Sequence, residues 1–281
     1  SMKTISLSKN VILAVLTLAI MFSLSSCKKT DKDQQSKDQE KTEKLSKKEV
    51  KKEVQDVVYP IPNSYQITET LNKTGASFII GISNEFENVD KYVTDEKQAL
   101  NLGVYSTDIT YTSTYNMKQY TMNYMDVNKT LVKELGITGA FTPDFFEKIQ
   151  ENFDNKEKLT ELITNSFYDT YEHMVKKGKD ELALMVVAGS WIEAMYITTH
   201  ISENTYHNKQ IVDLIADQEK TLNKLFEILK PHKDNETINK ILTDLQPIKD
   251  VYDNKKESGF NKEEVMTIQN EIAKVRNEII S

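Results

Sequence analysis

Cysteine is almost absent from this chain: one in 281 residues, at position 27. No disulfide can staple the fold from within, so whatever folds must be held by an apolar core. Glycine and proline are also scarce, with 8 and 5 residues. That scarcity argues against sandwiches and barrels, which need a turn every few residues. Long apolar runs are few, and the one nearest the amino terminus, Val11–Leu24, carries no charge. It is short of the about 20 residues that a comfortable membrane span needs and has the length of a signal-peptide core. Catalytic signatures are missing as well. There is no Gly-x-Ser-x-Gly, no Gly-rich phosphate loop and no His-Glu-x-x-His, so no catalytic residue, metal ligand set or cofactor is expected from local motifs.

What is present begins at the amino terminus. Ser1 precedes Met2 and reads as a cloning remnant. Lys3 and Lys9 supply a short basic region, the apolar run follows, and Leu24-Ser25-Ser26-Cys27 comes directly after it. That tetrad resembles the lipobox of bacterial lipoproteins, in which an apolar residue and two small residues precede a cysteine. The resemblance implies cleavage before Cys27, diacylation of its thiol and acylation of the new amino terminus. Residues 1–26 are then a signal peptide and Cys27 the lipidation site. Acyl chains, at about 0.8 kcal/mol per buried methylene, would anchor the protein to a membrane almost permanently.

Residues 28–56 contain ten lysines and eight acids, and no aromatic residue. Such a stretch cannot bury enough surface to offset the entropy of ordering, so 27–58 is expected to be a solvated tether. The charged stretch past Cys27 resembles the export signals of Bacteroidetes surface lipoproteins, and Lys28 gives no reason to expect inner-membrane retention. The implied address is the cell envelope, most simply the outer membrane, facing the periplasm or the surface. Residues 59–93, opened by Tyr59-Pro60-Ile61-Pro62, are expected to pack on the domain as a lead-in segment.

The body is acidic. Removing Lys3, Lys9 and the charges of 28–56 from the chain totals of 36 basic and 43 acidic residues leaves a net of −11 for residues 57–281. A surface of that sign repels phosphate backbones, so nucleic acid is excluded as a partner. Beyond residue 90 the pattern is helical throughout, and the expected fold class is all-α. Thr94-Asp95-Glu96, Thr142-Pro143-Asp144, Asp180 and Asn261 with Glu264 mark helix starts, and Gly136 and Gly178 mark helix ends. The short apolar run Ser77–Ser83 has no visible partner strand and is expected to be a buried helix end.

An internal likeness organises the rest. Shifted by 91 residues without gaps, 105–135 overlays 196–226 with eleven identities, including Thr-Tyr-x-x-Lys-Gln at 114–119 and 205–210. This predicts a helical bundle or short solenoid of two duplicated four-helix units, 94–178 and 180–281. The expected boundaries of their first helices are 94–117 and 180–206. Leu182–Ile197 is apolar nearly all round and should be the buried centre.

In the same register Leu102 and Ile109 correspond to Glu193 and His200. With Glu203 they would put two carboxylates and an imidazole on one helix face, able to bind a divalent metal or a cationic ligand. Packing explains them as well: Glu193 bonded to a neighbour, His200 and Glu203 exposed near a helix end. Tyr111, Tyr120 and Tyr124, which have no counterpart in the second unit, are candidate ligand contacts for a sugar or peptide. The whole is similar to uncharacterised all-helical Bacteroidetes envelope lipoproteins. The expected function is a non-enzymatic binding or scaffold module, engaging an unknown protein or small ligand where the halves meet. The alternative is a metal- or small-ligand-dependent protein using Glu193, His200 and Glu203.

Overall fold

The structure, a computed structural model, describes residues 77–138 and 142–281. The expected signal peptide, Cys27, the tether and residues 59–76 lie outside the described residues. Within them the fold is all-α, as the sequence pattern requires. Nine α-helices follow one another: α1 Asp95–Thr114, α2 Lys118–Glu134, α3 Pro143–Glu151, α4 Lys156–Lys176, α5 Asp180–His200, α6 Lys209–Ala216, α7 Glu219–Leu229, α8 Glu236–Asp253 and α9 Lys262–Ile280. A 3-10 helix, Phe86–Lys91, precedes them.

Local chemistry sets most of these boundaries. The Thr94 hydroxyl accepts from the Lys97 amide at the start of α1. Asn261 and Glu264 close a reciprocal capping box on α9, satisfying amides that have no partner in the helix. Gly136 and Gly178 adopt positive φ just past α2 and α4, where a left-handed residue turns the chain out of a helix.

Two boundaries differ from expectation. Helix α1 stops at Thr114 rather than 117, because Asn116 takes φ +60 and the Met117 amide reaches back to the Thr112 carbonyl. Helix α5 stops at His200, not 206. The Thr199 carbonyl at its end is taken by the Thr205 hydroxyl at 2.8 Å and the Gln269 amide at 2.8 Å, so the chain bends away. The run Ser77–Ser83 is likewise not a helix end. It is coil with a turn at Ile80–Gly81, where Gly81 has φ +85.

Helices α1 and α5 make the most extensive helix pairing among the described residues. Sixteen of the 21 residues of α5 are buried. It is long and apolar enough to cross a membrane, but 83% of that stretch is inside the body, as a core helix should be. Its partner α1 is polar by composition yet equally enclosed. Thr112, Thr114 and Ser106 hydroxyls donate to carbonyls four residues back in their own helix, which lets polar side chains be buried with their bonds made.

The two axes meet at glycines. A Cβ on Gly103 would lie 2.0 Å from the Val186 carbonyl oxygen, and one on Gly189 would lie 2.0 Å from that of Leu100. The contact is reciprocal between residues 86 apart, whereas the sequence overlay pairs residues 91 apart. After the crossing, α2 and α6 both open on the lysine of the shared Thr-Tyr-x-x-Lys-Gln string. The stretch that overlays α2 is divided into α6 and α7.

Gly103→Ala and Gly189→Ala should each destabilise the protein by about 1–3 kcal/mol or more, since the methyl meets backbone rather than a side chain that can move. Thermal unfolding measures this. A gain of stability, the usual result of Gly→Ala in an open helix, would show that the helices do not touch there.

Candidate functional site

The charged centre of the molecule lies between α1, α5 and α9, under residues 77–92, which form an arm ahead of α1. Asp108 and Glu193 are fully buried and Arg276 is 6% exposed. The Arg276 guanidinium grips Glu193 with two bonds, Nε to Oε2 at 2.9 Å and Nη2 to Oε1 at 3.1 Å. Nη2 also donates to the Ile82 carbonyl of the arm at 3.1 Å. Its flat face lies 4.3 Å from the Tyr196 ring centre, and Tyr196 in turn stacks on His200 at 4.3 Å. A column of guanidinium, phenol and imidazole thus runs from the core to the half-buried His200. Only arginine offers a planar fork, a third donor and a stacking face together. Arg276 is the only arginine in the chain, against 35 lysines.

Two carboxylates face one guanidinium, so the group is one positive charge short. The shortfall falls on Asp108. Burial and then the Glu193 charge hold its carboxyl well above the usual range, with Arg276 only partly opposing them. Its Oδ2 accepts from the Asn84 amide at 3.2 Å, whereas Oδ1 and the Ser83 hydroxyl beside it lack a well-formed hydrogen bond. The Arg276 cation is itself strengthened: burial, the largest influence, works against it, and the charge and hydrogen bonds of Glu193 together with Asp108 and Tyr196 outweigh burial.

Ahead of its 3-10 helix, the arm's backbone is held mainly by body side chains. The Ile79 amide donates to the Tyr111 hydroxyl at 3.1 Å. The Tyr124 hydroxyl donates to the Asn84 carbonyl at 2.9 Å, and that of Tyr105 to the Glu85 carbonyl at 2.7 Å. Between these bonds two arm phenylalanines sit among tyrosines. Phe78 lies 5.2 Å from Tyr111, 5.4 Å from Tyr115 and 5.8 Å from Tyr120, ring centre to ring centre. Phe86 lies 4.4 Å from Tyr124 and 6.1 Å from Tyr120. At the far end, Tyr92 donates to the Ile280 carbonyl at 3.1 Å, and Lys97 Nζ reaches the Glu278 carbonyl at 2.8 Å, tying the arm and α1 to the last turn of α9.

The residues singled out from sequence therefore fall in three places. Glu193 is inside the ion pair, with both oxygens occupied. His200 is at the outer end of the same column; its Nδ1 lies 2.8 Å from the Tyr196 carbonyl oxygen. Burial lowers its pKa, the Tyr196 bond partly opposing and Arg276 reinforcing. Glu203 is exposed on the bend after α5, off the helix face assigned to it. Among the described residues no group of His, Cys, Asp and Glu has metal-site geometry. Tyr111, Tyr120 and Tyr124 do converge, on the arm.

The sequence pattern does not single out Asp108, Arg276 or Asn84 as site residues. Arg276 carried a visible signal: it interrupts the stripe Ile272, Val275, Ile279, all buried, where a cation has no place unless it is paired. Elsewhere, where 94–178 meets 180–281, an open cleft of about 760 Å³ is lined by Asp95, Lys179, Asp180, Glu181, Glu227 and His232, among others. No known family, no curated protein and no solved structure matches the chain.

Arg276→Lys keeps the charge but not the fork, and Arg276→Met leaves Glu193 buried alone. Both should unfold at clearly lower temperature, the methionine variant losing about 3–5 kcal/mol. If Arg276→Lys melted with wild type, bidentate geometry would be irrelevant.

For Asp108 the folded pKa lies above the unfolded value of about 3.9. Its contribution to stability is whole below that value and is lost as pH rises toward the raised folded pKa, by up to about 1.4 kcal/mol per pH unit. Asp108→Asn removes this dependence. It should melt above wild type at pH 7–8, with the gap closing toward pH 4; an equal gap at every pH would contradict the assignment.

Proposed function

We propose that this chain is a lipid-anchored cell-envelope protein whose helical body is a binding or scaffold module with no chemistry of its own. The anchor rests on the sequence pattern ending at Cys27. The observation that carries the reading of the body is how its charged centre is used. Asp108, Arg276 and tyrosines of α1 and α2 are committed to gripping residues 77–92, and Glu193 to holding Arg276 in place. This arm joins the helices to everything that precedes them in sequence.

A tethered body needs a firm attachment at that joint. A segment that turns at Ile80–Gly81 and becomes helical only at Phe86 has few backbone bonds of its own before that point, so side chains must supply them. The bonds from Tyr105, Tyr111, Tyr124, Asp108 and Arg276, with the two phenylalanines seated between them, do so. In this reading the residues that could have formed an acid–base or ligand site are structural, and a partner or small ligand meets the body at the open cleft where its halves join. Such a module would work on the envelope, facing the periplasm or the surface.

Expression of the full chain in a bacterium with lipoprotein processing tests the anchor. The wild type should enter the detergent phase on phase separation, and mass spectrometry should show an acylated residue at Cys27. Cys27→Ser should remain in the aqueous phase. Recovery of wild type with a free thiol and an aqueous distribution would overturn the proposal.

A further inference from the structure

Residues 77–92 are bound as a separate peptide would be bound. Between Ile79 and Glu85, five backbone groups are bonded by body side chains: the Ile79 and Asn84 amides and the Ile82, Asn84 and Glu85 carbonyls. Hydrogen bonds to main-chain groups combined with pockets for anchoring side chains are the general logic of peptide recognition. Here the anchors are Phe78 and Phe86, at opposite ends of a slot made by Tyr111, Tyr115, Tyr120 and Tyr124.

We infer that this tyrosine slot is a peptide-binding site, and that the arm of one copy can occupy the slot of a second copy. The choice of occupant follows from complementarity: the one ligand whose fit is displayed, bond by bond, is the segment 77–92 itself. Exchange between two copies keeps every contact, so the free-energy difference between closed monomer and exchanged dimer is confined to the joint and to association. The joint suits this. Val93 lies between buried Tyr92 and the cap residue Thr94 and is 82% exposed, so the hinge side chain itself is clear of the core, and Tyr92 leaves and re-enters its seat with the arm. The arm lies on the amino-terminal side of all nine helices and leaves the slot without any helix moving past another.

The charged centre adds a reason for the arm to open. Its seat covers Asp108, and the groups facing that carboxyl are Glu193 on α5, Arg276 on α9, Tyr105 and Tyr111 on α1, Tyr124 on α2, and Ser83 and Asn84 on the arm. Opening readmits water to a carboxyl that burial and Glu193 hold in its uncharged form, so release eases as pH rises.

Two full-length variants test the inference by complementation. Phe78→Ala/Phe86→Ala has a damaged arm and an intact slot; Tyr120→Ala/Tyr124→Phe has the reverse. Mixed in equal amounts they should form a heterodimer by light scattering, and the intact arm should regain wild-type protection of its 79–85 amides from hydrogen exchange. Separate monomers with unchanged exchange would overturn the inference. Should either variant fail to fold, the wild-type chain decides it. A fluorescent synthetic peptide of residues 77–92 should bind saturably, and its copy with both phenylalanines changed to alanine about tenfold or more weaker. Equal binding of the two peptides, or none, contradicts the site.

Discussion

The structure depends on one buried ion pair. Glu193 of α5 and Arg276 of α9 meet inside the body with two bonds, and the same guanidinium reaches the arm and stacks on Tyr196. An unpaired charge at either position would cost several kcal/mol in so enclosed a place, so neither residue is tolerable without the other. The pair therefore does more than add stability. It fixes where α9 lies on α5 and gives the Ile82 carbonyl its partner, so the fold of a segment before α1 is tied to a residue near the end of the last helix. Asp108 follows from the same constraint, being the second carboxylate in a space with one cation.

The close crossing of α1 and α5 makes that centre possible. With glycine at both contact points the helices approach until backbone meets backbone. The Thr107 hydroxyl then reaches the Ser190 carbonyl at 3.0 Å. Polar groups from α1 and α5 end up within bonding distance of each other, and the polar composition of α1 becomes useful instead of costly. Buried networks of this kind rigidify a core when every member is satisfied, and Asp108 Oδ1 and the Ser83 hydroxyl, adjacent atoms that both lack a well-formed bond, mark a weak point in this one. That is beneath the arm.

The all-α fold was legible because its determinants are local. Caps at Thr94 and Asn261 and the left-handed glycines at 136 and 178 act on neighbours within a turn, so their effect can be read from a few residues. The apolar girth of Leu182–Ile197 likewise announces burial. The arm could not be read this way. Ser77–Ser83 has no periodicity, and the partners of 79–85 are tyrosines, an aspartate and an arginine that are 20 to 194 residues away. Glu193 was noticeable as a carboxylate in an apolar helix, but its partner Arg276 lies 83 residues on, and only the rarity of arginine and its place on a buried stripe pointed there. Glu203 falls off the expected face because the helix ends at His200, six residues before the end its pattern predicts. The bonds that end it, from Thr205 and Gln269, depend on tertiary folding. Gly103 and Gly189 were in plain view as glycines inside helices, but a glycine costs helix stability wherever it sits, and only the crossing shows what the cost obtains.

The account stands or falls on whether the ion pair holds the arm as well as the helices. Replacing both partners with apolar residues, Glu193→Leu with Arg276→Met, removes the charges without leaving either one unpaired. Hydrogen exchange on that double variant separates the two roles. The body amides of α1 and α5 should stay protected, while the amides of 79–85 should exchange markedly faster than in wild type. Full protection of the arm in the absence of Arg276 would contradict the account at its centre.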